Sequence, residues 1–375
     1  MIDWQKIRSD FPAVENSTYL CTAGGGCLSA AAKKEIDRYY DEMHLQGDVC
    51  WDAWLARTEN VRRRLASMLN AEPYEIAFLT TTSLGMNYAA DLFNVEQEVL
   101  TLQNEFPSVT LPWLHRGYPV QFLPVQPDGG YDFDTFDLPA ERHNRIFATS
   151  FVQYATGFRQ NLTELGQFCE VHDLALIVDA TQGFGVFPID VKRDKIDMLI
   201  FSGYKWAGAG YAIAPIFIRH ELLSTTKLPA VGWRSSKMPY ALRNNEIDFH
   251  HDASALELGH PPFPGIFALG GALQQLEEIG LEQVESRVHE LTGMLHQKLD
   301  AIGAEIISTR DRAHRSGITM VAVNEPKQVA EALAKRNIHV SARGRGIRVA
   351  LHFYNNEQDI EIFVGALAEL TAAGN

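Results

Sequence analysis

Asp179 and Lys205 carry the most chemistry in this sequence. Asp179 closes the apolar run Leu174-Ala175-Leu176-Ile177-Val178, and Lys205 follows a second run, Met198-Leu199-Ile200-Phe201, in the segment Ser202-Gly203-Tyr204-Lys205-Trp206. Two short strand-like runs, each ending in a polar group, bring a carboxylate and an amine to one edge of a parallel sheet, where ligands of α/β proteins bind. A buried carboxylate facing a lysine meets the needs of pyridoxal phosphate. The amine forms a Schiff base with the cofactor aldehyde, and the carboxylate keeps a proton on the pyridine nitrogen.

Other strand-end segments deliver polar groups to the same edge. Thr80-Thr81-Thr82-Ser83-Leu84-Gly85-Met86-Asn87 follows one apolar run and opens a helical pattern. Hydroxyls backed by the free N–H groups of a helix start suit a phosphate, and they equally suit an ordinary N-cap. Asn104-Glu105-Phe106-Pro107-Ser108 follows another run, with Phe106 suited either to lie on a cofactor ring or to join the core. Ser150-Phe151-Val152-Gln153-Tyr154-Ala155-Thr156-Gly157 leaves a further one. Gln182, three residues past Asp179, is placed to reach the phenolic oxygen of the cofactor. Asp179 alone reads as a helix cap or a structural ion pair; the ordered set of strand-end signals with Lys205 argues for a site.

The elements that must hold these residues show in the apolar pattern. Strand-like runs occur at 75–79, 98–102, 120–123, 145–149, 174–178, 198–201 and 212–218, alternating with helical patterns. Their nearly continuous apolar character predicts strands covered on both faces, hence a mostly parallel, helix-flanked α/β sheet. Residues 220–265 are rich in Pro, Gly and Asn and read as irregular. A long helical pattern begins at Ile266, breaks near Gly280 and runs to about Ile302. Strand-like runs at 304–308, 317–323, 338–342 and 346–350, with helical patterns at 326–336 and 356–372, predict a small α+β unit. The division expected is a large domain over 18–280 and a small domain formed by 1–17 with 281–375.

Composition bounds the function. A chain of 375 residues with 46% hydrophobic residues can bury the core of two domains. A formal net charge of −14 argues against nucleic-acid binding, which needs a basic footprint. No apolar stretch reaches membrane-span length, and the first residues lack a secretory layout. Cys21, Cys27, Cys50 and Cys169 form no CxxC pair, so they read as reduced thiols of a cytoplasmic protein without a metal site.

Taken together, these segments resemble the class V aminotransferase family of fold-type I pyridoxal-phosphate enzymes, which includes cysteine desulfurases, selenocysteine lyase, isopenicillin N epimerase and kynureninase. The resemblance runs from Tyr19-Leu20-Cys21-Thr22-Ala23-Gly24 to Ile347-Arg348-Val349-Ala350-Leu351-His352-Phe353-Tyr354-Asn355. Its most specific part is Val178-Asp179-Ala180-Thr181-Gln182 followed by Ser202-Gly203-Tyr204-Lys205-Trp206. It implies a large domain with a mostly parallel seven-stranded sheet flanked by helices, plus a small α+β C-terminal domain. It further implies Lys205 as Schiff-base lysine and proton shuttle, Asp179 on the pyridinium and Gln182 on the phenolic oxygen. Thr82, Ser83, Ser202 and Tyr204 match phosphate-binding positions, and Phe106 the residue stacked on the ring. Arg348 matches the arginine that binds the substrate α-carboxylate, a role suited to a forked, permanently charged donor. Arg343 and Arg345 read as solvated surface arginines.

The departures from the family are also informative. Desulfurases carry a nucleophilic cysteine shortly before the carboxylate-binding arginine, and no cysteine lies beyond Cys169 here. Relatives place a Thr that reaches the partner subunit's phosphate where His260 stands; His260 either makes that contact or the contact is lost. The resemblance implies a homodimer with shared active sites and the 220–265 segment crossing to the partner. It implies a reaction at Cα of a small L-amino acid, by transamination or by β-elimination of the C–S lyase type. The alternatives are an amino-acid epimerase or a catalytically inactive binding protein of this fold. An unrelated nucleotide-binding enzyme ranks last, since the chain has neither GxGxxG opening a βαβ unit nor GxxxxGK[ST].

Overall fold

The computed structural model describes residues 2–133, 136 and 145–372. Twelve strands are present among them: β1 (Thr18–Tyr19), β2 (Ile76–Leu79), β3 (Glu98–Leu102), β4 (Val120–Leu123), β5 (Arg145–Ser150), β6 (Leu174–Asp179), β7 (Met198–Ile200), β8 (Ala214–Ile218), β9 (Ile318–Ala322), β10 (Ile338–His339), β11 (Ser341–Arg343) and β12 (Gly346–Ala350). Seven form one sheet in the order β2-β8-β7-β6-β5-β3-β4. β8 runs antiparallel to both neighbours, and the other pairings are parallel.

Outside the edge strand β4, both faces of this sheet are dry, which explains the unbroken apolar runs. On one face Phe78, Leu100, Phe147, Leu176, Val178, Leu199 and Phe217 pack with the helices Trp51–Leu69, Leu162–Val171 and Phe263–Ile279. On the other, Ala77, Val99, Ile146, Ala148, Ile177, Ile200 and Ile216 pack with the helices Thr82–Leu92 and Pro107–Arg116. Side chains alternate between the two clusters along every strand, as the two-residue period of a strand requires. The helix Thr82–Leu92 approaches the sheet closely at Gly85, where an added Cβ would lie 1.9 Å from Ile200 Cδ1.

A three-stranded antiparallel sheet, β11-β12-β9, packs against the helices Leu281–Ala301, Pro326–Ala334 and Glu357–Ala372 around Leu295, Leu299, Val321, Ile347, Val349 and Phe363. The helical pattern expected from Ile266 begins at Phe263 and breaks at Gly280, whose φ of +87° joins the helices Phe263–Ile279 and Leu281–Ala301. Two expected strands differ. Residues 304–308 form only the isolated bridge Ile306↔Val321, and 338–342 divides into β10, which pairs with β1, and β11, which pairs with β12. His339 and Ser341 face different neighbours, so one continuous strand cannot serve both. Ahead of the helix that begins at Phe263, the 220–265 segment holds one helix, His220–Thr225, and three short 3-10 turns. No helix among the described residues is long and apolar enough to cross a membrane.

Candidate active site

Register sets the first row of the site. Ser150 at the end of β5 pairs with Asp179 at the end of β6, and Asp179 pairs with Ile200 at the end of β7. The chain leaves all three strands at one edge and there lines a cleft with Thr82, Phe106, Ser150, Tyr154, Asp179, Thr181, Gln182, Ser202, Tyr204 and Lys205. Larger hollows elsewhere, such as the one lined by Glu75, Arg145, Asp197 and Arg219, lie at the opposite strand ends and gather ion-paired side chains.

Lys205 is 8% exposed and Asp179 is 5% exposed. Burial pushes the Lys205 amine down to about 8, against the pull of Asp179; Arg348 and Arg343 push the same way as burial. Burial likewise raises the proton affinity of Asp179, against the Thr181 hydrogen bonds and the attraction of Lys205. For both groups desolvation outweighs mutual attraction. The amine therefore gives up its proton far more readily than an ordinary lysine, and the carboxyl group binds its proton more tightly than an ordinary aspartate. Lys205 Nζ lies 5.6 Å from the Phe106 ring centroid and 5.5 Å from that of Tyr204. Behind Tyr204, Tyr211 stacks at 4.5 Å.

Hydrogen bonds fix the surrounding groups. Thr181 donates its backbone N–H to Asp179 Oδ1 (2.8 Å), and its hydroxyl accepts from the Ser202 N–H (3.0 Å). Thr82 and Ser202 hydroxyls lie 3.3 Å apart. Gln182 accepts from Trp206 Nε1 (2.6 Å) and donates to the Ala23 carbonyl (3.1 Å), which settles its amide orientation and leaves one N–H for a ligand. Thr81, rather than Thr82 or Ser83, caps the helix Thr82–Leu92, so the capping and cleft-lining roles fall on different residues. Ser83 is exposed and pairs with the Ser108 hydroxyl, outside the cleft lining. His260 is exposed on another face, with the Trp51 and Trp233 rings each 5.4 Å away.

Arg348 comes from β12 and is 2% exposed. It donates to the Tyr154 carbonyl (2.6 Å), and its Nε has no partner. Burial first, then Arg343, lowers its proton affinity to about 10.

Glu105 escaped the sequence reading. Its buried carboxylate accepts from the Thr149 hydroxyl, the Ser150 N–H and hydroxyl, Gln153 Nε2 and the Phe106 N–H. It thus ties the Phe106 turn to the end of β5, and burial raises its proton affinity. Apart from Phe106, its partners lie more than 40 residues away, so no local pattern marks it.

The residues present suit pyridoxal phosphate. Asp179 retains acceptor capacity for a ring nitrogen, Gln182 has a free donor, Phe106 faces the lysine, and the Thr82 and Ser202 hydroxyls converge at a helix start.

The family profile described as "Aminotransferase class-V" matches residues 26–363. An uncharacterized aminotransferase, YcbU, of Bacillus subtilis is 24% identical, the match covering 98% of each chain. A probable cysteine desulfurase of Pyrococcus abyssi is 24% identical, covering 98% of this chain and 97% of that one. Among solved structures, the apo cysteine desulfurase of Thermococcus onnurineus superimposes with a TM-score of 0.90 at 23% identity, covering 100% of this chain and 99% of the other. The cystine C–S lyase C-DES, in complex with its product cysteine persulfide, gives 0.87 at 22% identity over 96% and 99% of the two chains. These likenesses establish the fold-type I architecture, and the match over most of the length makes this chain a member of the class V aminotransferase family.

Proposed function

We propose that the chain is a pyridoxal-phosphate enzyme acting at Cα of a small L-amino acid, by a transaminase- or lyase-type reaction. The observation that carries this is the buried Lys205 amine, lowered to about 8, set in one cleft with buried Asp179 and with Phe106. Thr82, Ser202 and Tyr204 hold the phosphate in this reading, with Ser83 at the same helix start. Phe106 covers one face of the ring, Asp179 keeps the proton on its nitrogen and Gln182 donates to its phenolic oxygen. When bound, the cofactor supplies an electron sink for charge developing at Cα. Arg348 grips the α-carboxylate and thereby presents the Cα–H bond. Lys205 anchors the cofactor and carries the Cα proton. Phe106 cannot exchange protons, so any acid–base work beyond Lys205 must come from other groups.

Support against a persulfide route comes from the strand pairing. β11 and β12 join through Gly344 and Arg345 alone, and neither strand nor turn contains cysteine. Cys21 does lie near this hairpin, 3.0 Å from the Ser341 hydroxyl, but on the N-terminal segment.

A homodimer belongs to the same reading. Met238, Tyr240, Leu242 and Ile247 are exposed on the 220–265 segment, and Tyr240 accepts a hydrogen bond from Trp51 Nε1. His260 sits in this aromatic patch, away from the cleft of its own chain, where a second copy could receive it.

The test compares the wild type with Lys205→Ala after loading with pyridoxal phosphate and addition of L-amino acids. The wild type is expected to show a visible band that the variant lacks, with turnover lower in the variant by roughly 100- to 10,000-fold. Unchanged turnover would remove Lys205 as proton carrier. A wild type that stays colourless would remove the cofactor assignment.

A further inference from the structure

Arg348 accounts for one carboxylate, and a second guanidinium stands beside it. Arg343 pairs with Gly346 and Ser341 pairs with Arg348 across the β11–β12 hairpin. Residues 341 and 343 share a face of β11, and directly opposed residues share a face, so Arg343 and Arg348 lie diagonally on one side of the hairpin. That diagonal spans about 7–8 Å between backbones, and two arginine side chains cover it easily.

Neither arginine has an acidic partner among the described residues. Arg343 donates from Nη1 to its neighbour's carbonyl, Ala342 O (2.8 Å), and the rest of its fork is uncommitted. Arg348 meets only the Tyr154 carbonyl and keeps a buried, unpartnered Nε. Arg345, in the turn between the strands, shows the usual arrangement, with Glu305 at 2.8 Å. In a chain with 47 acidic and 33 basic residues, two adjacent guanidiniums without a carboxylate stand out against the general excess of acid. The charge of Arg343 also reaches inward, lowering the proton affinity of both Lys205 and Arg348. Arg348, buried, adjoins the cleft through the carbonyl of its lining residue Tyr154, and Arg343 lies exposed beyond it. The fork geometry of each matches a carboxylate.

We propose that Arg343 binds the second carboxylate of a dicarboxylic substrate, an amino acid of aspartate or glutamate size or the matching 2-oxo diacid, while Arg348 binds the α-carboxylate. This rests on the functional reading above and narrows its substrate class. A neutral side chain would leave Arg343 unmatched, and a cationic one would add like charge beside it.

Isothermal titration of the purified protein with succinate and with butyrate tests it, each with and without added pyridoxal phosphate. Succinate is expected to bind about ten-fold tighter or more, the equivalent of one charge-assisted contact. Arg343→Gln should bring succinate down to the affinity of butyrate, and Arg348→Gln should weaken both. Equal affinities in the wild type, binding of neither anion, or a preference that survives Arg343→Gln would each overturn the proposal. Because Arg343 is exposed and outside the core, that variant should fold normally, which circular dichroism verifies. Failure of the functional reading registers separately, as the missing visible band, while the succinate preference remains readable without cofactor.

Discussion

A Cβ atom on Gly26 would lie 1.9 Å from the carbonyl oxygen of Lys205. The Gly26 N–H also donates to the Tyr204 carbonyl (2.8 Å), so the N-terminal Gly24-Gly25-Gly26 loop rests directly on the backbone that carries the lysine. Gly26→Ala is expected to push this backbone out of place. It should cost about 1–3 kcal/mol in urea denaturation and reduce the visible band of the cofactor-loaded protein. An alanine variant with unchanged stability and spectrum would show that the loop yields freely.

The Lys205 amine makes stability depend on pH. Its folded-state value, about 8, lies below the ordinary 10.5, so burying the charged form opposes folding. That opposition is fully present below about pH 8 and disappears as pH rises towards 10.5, where the amine is neutral folded or unfolded. In cofactor-free protein, Lys205→Met should therefore gain up to about 3 kcal/mol over the wild type near neutral pH, and the gain should shrink towards alkaline pH. Denaturation curves of the two proteins at several pH values check this. A gain that does not change with pH would place its origin in packing.

Glu105 should behave as a clamp between two turns. Glu105→Ala leaves buried donors from Thr149, Ser150, Gln153 and Phe106 without their acceptor, which is expected to cost at least about 3 kcal/mol. Glu105→Gln keeps one acceptor oxygen and should recover part of the loss. Thermal denaturation of the three proteins reads this directly. Equal stability for the alanine and glutamine variants would show that neither filled volume nor a single retained acceptor oxygen matters, and that only the full carboxylate serves at this position.

The site was legible in the sequence where strand ends supply it. Asp179 and Lys205 follow apolar runs that become β6 and β7, and parallel register brings both to one edge. The antiparallel sense of β8 was not legible, because an apolar run buried on both faces looks the same in either direction. Glu105 was missed because a lone acid before Phe106 carries no mark of burial. Arg343 was read as a solvated surface arginine. It is exposed, yet its relation to Arg348 depends on a two-residue turn, and a turn of different length would have changed the shared face. The expected 304–308 strand is reduced to a single bridge on the edge of β9 opposite β12, where the Ser308 hydroxyl takes the Met320 N–H (2.8 Å) in place of a further backbone acceptor.

The Gly344–Arg345 turn has a consequence for product release. A hairpin closed in two residues has no slack to swing, so this end of the cleft offers no tethered arm on which a reaction fragment could travel to an acceptor protein. If Lys205 and Arg348 act as proposed, the product is expected to leave by diffusion and to be recoverable from free solution.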